Sequence, residues 1–162
     1  MPKQKIKLVN NIYTTRRYIG LWLSIWLALI FVTWYSRPLI PYQETFWAAV
    51  SWEGFFNKSY LYPLLNGEYS ANTFPLIPWV EIGVWQIIGV SEFSLRAVNS
   101  LFSLGVLFLV GWAAYQLWPE ERQVRGNAPF ILVGSVVWTI FATANISEVW
   151  LTFFLVLSFN FF

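Results

Sequence analysis

The sequence predicts an all-α integral membrane protein with about four transmembrane helices and a long external loop containing amphipathic interfacial helices. Composition is the first reason: of 162 residues, 57% are apolar, 21% aromatic and 11% charged, where a soluble domain carries roughly 25% charged residues. The second is how those charges are placed. They leave 19 uncharged residues between Arg17 and Arg37, 23 between Arg96 and Glu120, and 22 between Arg125 and Glu148. A hydrocarbon core ~30 Å thick is crossed by about 20 helical residues. The third is that lipid offers backbone amides no partner, so these runs must be helical despite their many Val, Ile and aromatic residues.

Residues 1–17 form a basic tail, and Lys3, Lys5, Lys7, Arg16 and Arg17 mark it as cytoplasmic. The first span covers 18–36; it is too long for a signal peptide and lacks a small-residue cleavage pattern. Residues 37–96 form the external segment, far longer than an ordinary connection. Within it, residues 73–90, TFPLIPWVEIGVWQIIGV, are apolar enough to raise the question of a further span. Arg122 and Arg125 mark the next loop as cytoplasmic, and two spans between the basic segments keep that parity where three would break it. The segment is therefore expected to lie on the outer face as a helix, with Leu76, Val80, Gly83, Val84 and Ile87 on one side. The second span covers 97–118, the third 127–146, and a fourth begins at 149 and is still apolar at Phe162. Residues 18–162 make one membrane domain. Trp34, Tyr35, Tyr115 and Trp118 fall near span ends, where amphipathic rings anchor at the interface.

His, Cys and Asp are absent. That removes imidazole bases, thiolate nucleophiles and the ordinary zinc and haem ligand sets, and it disfavours a pigment site. No charge falls inside the three strong runs, which speaks against a transporter. The net charge of +2 gathers at the amino terminus and suggests no nucleic-acid partner. Asn57-Lys58-Ser59 and Asn145-Ile146-Ser147 match the glycosylation acceptor pattern, which also arises often by chance. Asn66-Gly67, within LNGEY, reads as a turn with positive φ. The external segment, dense in aromatics and prolines, fits short helices around an apolar groove. It is either a lid over the helix ends or a substrate platform at the lipid boundary.

Five stretches occur in order: P-x-Q-E-T-x-W-A from Pro41, LYPLLNGEY, FPLIPW, GVSEFSLRAVNSLFSLG and ISEVWLTFFLVLS. Over residues 16–162 they resemble the amino-terminal part of membrane glycosyltransferases of the aminoarabinose-transferase and protein-mannosyltransferase superfamily. GVSEFSLR and LTFFLVLS are the most specific pieces. The resemblance implies transfer of a sugar from a polyprenyl-phosphate carrier to an acceptor at the outer face, in a bacterial inner membrane. Such chemistry uses carboxylates to orient or deprotonate the acceptor and to hold a divalent cation, the one cofactor implied. The family places an Asp-Glu pair in the exit loop, a second acid before the Pro-rich helix and an Asp at the third external turn. The matching positions here are Gln43-Glu44, Asn72 and Glu148, so two of the three expected acids are amides.

The resemblance thus implies Glu44 and Glu148 as candidate catalytic acids, and Arg37 and Arg96, at outer span ends, as candidate substrate-binding residues. Gln43, Glu44, Asn72 and Glu148 are expected to line one shallow polar pocket with an arginine at its rim. The implied partners are membrane lipids, a polyprenyl-phosphate sugar and other membrane protein subunits. Family members are much longer than this chain, so the sequence is expected to be a portion of a longer protein or a truncated relative. The alternative function is a non-catalytic subunit packed in a larger membrane complex.

Overall fold

The structure, a computed structural model, describes residues 2–70, 73–121 and 123–162. Among them, seven helices and one short hairpin follow in order: α1 Pro2–Ser36, α2 Gln43–Phe56, β1 Leu64–Leu65, β2 Glu68–Tyr69, α3 Leu76–Ile88, α4 Glu92–Leu117, α5 Val124–Val133, α6 Val136–Thr143 and α7 Ser147–Phe161. Two helices are long and apolar enough to cross a membrane: Thr15–Ser36, with 22 residues, and Glu92–Leu117, with 26. At 1.5 Å per residue they span about 33 and 39 Å.

α4 begins five residues before the expected boundary at 97, because a capping box overrides the charges that hid the start. The Ser91 hydroxyl accepts from Ser94 N at 3.1 Å, and Ser91 N donates to the Ser94 hydroxyl at 3.2 Å. Glu92 therefore sits in the first turn, where its charge suits the helix dipole.

The expected single span over 127–146 is broken. α5 and α6 meet at Gly134–Ser135 with a bend of 78°. Gly134 is a poor helix residue, and two β-branched valines follow Ser135. Even so, the contacts of the pair follow α1 from Thr15 to its carboxyl end. Gly126 lies against Thr15 and Tyr18, Val133 joins Trp22, Trp26 and Ile30, and Arg37 donates to Thr143 O at 3.2 Å. The pair is a broken span or a re-entrant loop, and contacts at both ends of the α1 span favour the first. Pro129 inside α5 lacks the N–H that would bond Arg125 O, and Gly111 of α4 packs on that free carbonyl.

α7 packs along α4. Phe102 stacks on Trp150 with ring centroids 3.8 Å apart, and Phe153 lies over Gly105. At the far end, Asn160 Nδ2 donates to Leu109 O at 3.2 Å and Gln116 Nε2 to Asn160 O at 3.0 Å. At 15 residues α7 is shorter than a crossing needs, so the helices support two spans, or three with the bent pair, and not the expected four.

The segment between α1 and α4 is a packed platform. Trp47 of α2 and Ile77 of α3 form one cluster with Val98 of α4 and Trp150 of α7. The hairpin pairs Leu64 with Tyr69 and Leu65 with Glu68. Its turn is Asn66-Gly67, with φ of 56° and 80° as the sequence requires. The Glu53 carboxylate accepts both turn amides, at 2.5 Å from Asn66 and 3.1 Å from Gly67.

α3 turns a different face inward from the one its apolar stripe suggests. Ile77, Pro78, Glu81, Ile82 and Trp85 are buried. Leu76, Val80 and Val84 are half-buried beside them, and Ile87 is exposed. The reason is Glu81, whose carboxyl finds hydrogen-bond donors inside.

Candidate functional site

The acids of the platform differ sharply in surroundings. Glu44 stands in the first turn of α2, and its side chain folds back under the 37–42 connection. Its Oε1 accepts from Arg37 Nη2 at 3.1 Å and from Asn145 N at 2.7 Å, and its Oε2 accepts from Ile40 N at 2.5 Å. Glu44 is fully buried, while Arg37 is partly open to solvent. This is a charge-assisted clasp joining the ends of α1, α2 and α6.

Glu81, which sequence reasoning passed over, is equally buried. Its Oε2 accepts from the Ser51 hydroxyl and its Oε1 from Asn145 Nδ2 at 2.7 Å. Burial pushes the carboxyl up to about 7, against the pull of those two bonds. The signal in the sequence was an acid at the centre of an apolar helix, four residues from Ile77 and four from Trp85. Asn145 is itself buried and hydrogen-bonded, so its acceptor triplet is enclosed in this fold, whereas Asn57 is exposed.

Glu148 is exposed in the first turn of α7. It lines a small mixed pocket of about 200 Å³ in which Gln43, Tyr42 and Ser147 stand beside the apolar Phe46, Trp47 and Ile146. It also lines an apolar groove of about 630 Å³ walled by Phe74, Ile77, Trp150, Leu151 and Phe154. Ser147 and Glu148 therefore line both the groove and the pocket.

The structure brings Gln43 and Glu148 to this one pocket, whereas Glu44 does not line it and is buried against Arg37 and Asn145. Arg96 is elsewhere: it is buried in α4 and donates from Nη1 to Trp34 O at 3.3 Å. Asn72 lies outside the described residues. A divalent cation does not fit the Glu44 position, because both carboxylate oxygens already accept from Arg37 or backbone amides. Among the described residues, no three acids gather where they could hold a metal ion.

No known protein family, curated protein or solved structure matches the chain. The resemblance to polyprenyl-phosphate-dependent transferases rests on the quoted motifs alone.

Proposed function

We propose that the chain is a glycosyltransferase-like membrane protein that holds a polyprenyl-phosphate-linked sugar with its isoprenoid chain in the Phe74–Phe154 groove and its polar end at Gln43 and Glu148. The observation that carries this reading is the position of Glu148, an exposed acid that lines both the apolar groove and the small pocket holding Gln43. An exposed carboxylate beside a lipid-sized groove suits general-base or orienting work on an acceptor hydroxyl. Glu44 is committed to the Arg37 clasp, so it plays a structural part and any transfer chemistry runs through Glu148.

A second reading, a non-catalytic subunit that keeps the platform without the chemistry, is favoured by the amide at Gln43 and the enclosure of Glu44. Both readings expect the 162-residue chain alone to transfer no sugar.

A photoreactive polyprenyl-phosphate sugar tests the first. Adducts confined to peptides carrying Phe74, Leu151 and Phe154, and competed by unlabelled carrier, are the expected result. Adducts spread evenly over the exposed faces of α1 and α4 would leave only the subunit reading.

A further inference from the structure

Glu81 lies on the buried face of an otherwise apolar helix, and its two oxygens reach two different bodies. The Ser51 hydroxyl comes from α2, and the Asn145 amide comes from the turn between α6 and α7. The backbone N–H of Asn145 goes to Glu44. One carboxyl therefore joins α2, α3 and the turn that leads into Ser147 and Glu148.

Among the described residues, no basic side chain pairs with Glu81. On α2, Glu44 is paired with Arg37, and Glu53 accepts the Asn66 and Gly67 amides. On α4, Glu92 is exposed and Arg96 donates to Trp34 O. On α7, Glu148 is exposed. Among the described residues, the one ion pair is Arg37–Glu44.

We propose that Ser51, Glu81 and Asn145 form a proton-operated clasp, which holds α2 and α3 against the turn before α7 while Glu81 is neutral and releases that turn when Glu81 ionises. In the neutral form the carboxyl O–H donates to Ser51 Oγ, and Oε1 still accepts from Asn145. The ion has the same two neighbours, carries a full charge in an enclosed site and faces no cation. A buried charge in that position is relieved by moving or by admitting water.

Burial sets the crossing near neutrality, at about 7 against an ordinary value of 4.5. Because the folded value lies above the unfolded one, the clasp contributes its full stability below about 4.5 and loses it as pH rises through about 7. Release frees the Ile146–Glu148 wall of the small pocket from one of its two anchors. The clasp stands whether or not the chain handles a sugar donor.

The test uses spin labels at Thr45 on α2 and Leu151 on α7, both exposed, in the full chain reconstituted in lipid discs. The label-to-label distance distribution is expected to be narrow below about 4.5 and to broaden as pH rises towards about 7. Glu81→Gln keeps both hydrogen bonds without an ionisable group and is expected to stay narrow throughout. A wild-type distribution that does not change with pH overturns the clasp, as does a Glu81→Gln chain that broadens at the wild-type midpoint. If Glu81→Gln does not fold, the infrared carbonyl stretch of a protonated carboxyl decides on the wild type alone. The band is expected at about pH 6, where ordinary carboxyls are ionised; its absence there refutes the proposal.

Discussion

The Asn145 side-chain amide donates to Glu81 Oε1 at 2.7 Å across 64 residues of sequence. The backbone N–H of the same residue donates to Glu44 Oε1, also at 2.7 Å. One asparagine thus serves two buried acids, one held otherwise by an arginine and one by a serine. The turn that presents Glu148 is fixed through these bonds.

Asn145→Ala is expected to destabilise the protein by about 1–3 kcal/mol, because it leaves Glu81 Oε1 buried without a donor. Thermal unfolding followed by the fluorescence of the 11 tryptophans reads this directly. A midpoint unchanged from wild type would show that the bond contributes nothing.

Glu44→Gln and Glu148→Gln are the same chemical change with opposite expectations. The first weakens the charge-assisted bonds of a buried acid, at about 2 kcal/mol, a figure kept low because Arg37 is 28% exposed. The second touches an exposed side chain and is expected to change stability by less than ~0.5 kcal/mol. Its effect belongs to donor binding. Unfolding curves for the pair decide, and equal losses would contradict the assignment of Glu44 to structure.

Ser59 and Gln123 are expected on opposite sides of the membrane, Ser59 outside and Gln123 in the cytoplasm. Arg16, Arg17 and Arg125 cluster at one end of the bundle, where Gly126 meets Thr15, and basic residues favour the inner side. Single cysteines at the two positions, in a background with no other thiol, report it through an impermeant reagent. Labelling of both from outside would refute this topology.

Gly111→Ala and Gly83→Ala separate packing from propensity. A Cβ at Gly111 would stand 2.8 Å from Arg125 O, so α4 and α5 must move apart, at about 1–3 kcal/mol. At Gly83 nothing lies within 4 Å, and alanine gains up to about 1 kcal/mol of helix propensity. Reversal of that order in unfolding measurements would mean the α4–α5 seam is not tight.

The helical class and the two long spans were legible because uncharged length is a property of the sequence alone. The Asn66-Gly67 turn was legible because its two φ angles are local. The break at Gly134–Ser135 was hidden: a charge-free count registers hydrophobicity and is blind to a change of helix direction. The role of Glu81 was hidden for a different reason. Periodicity assigns an acid to the wet face, and only the arrival of Asn145 from far along the chain makes the inner face hospitable. Glu148 was reached through the motif resemblance. The groove it lines needs Phe74, Trp150 and Phe154 brought together, which no local pattern encodes.

Glu44 and Glu81 precede the residue that satisfies them by 101 and 64 positions. A chain emerging from its amino terminus therefore completes α1 to α4 while both acids still lack the Asn145 donors. Such long loop closures are slow, and until they happen the two carboxylates stay hydrated. That keeps the platform at the water boundary and stops apolar α3 from sinking into lipid. A chain stalled before Asn145 would offer quality-control proteases an open segment with two incompletely paired acids and a Trp47–Ile77 face that lacks Trp150.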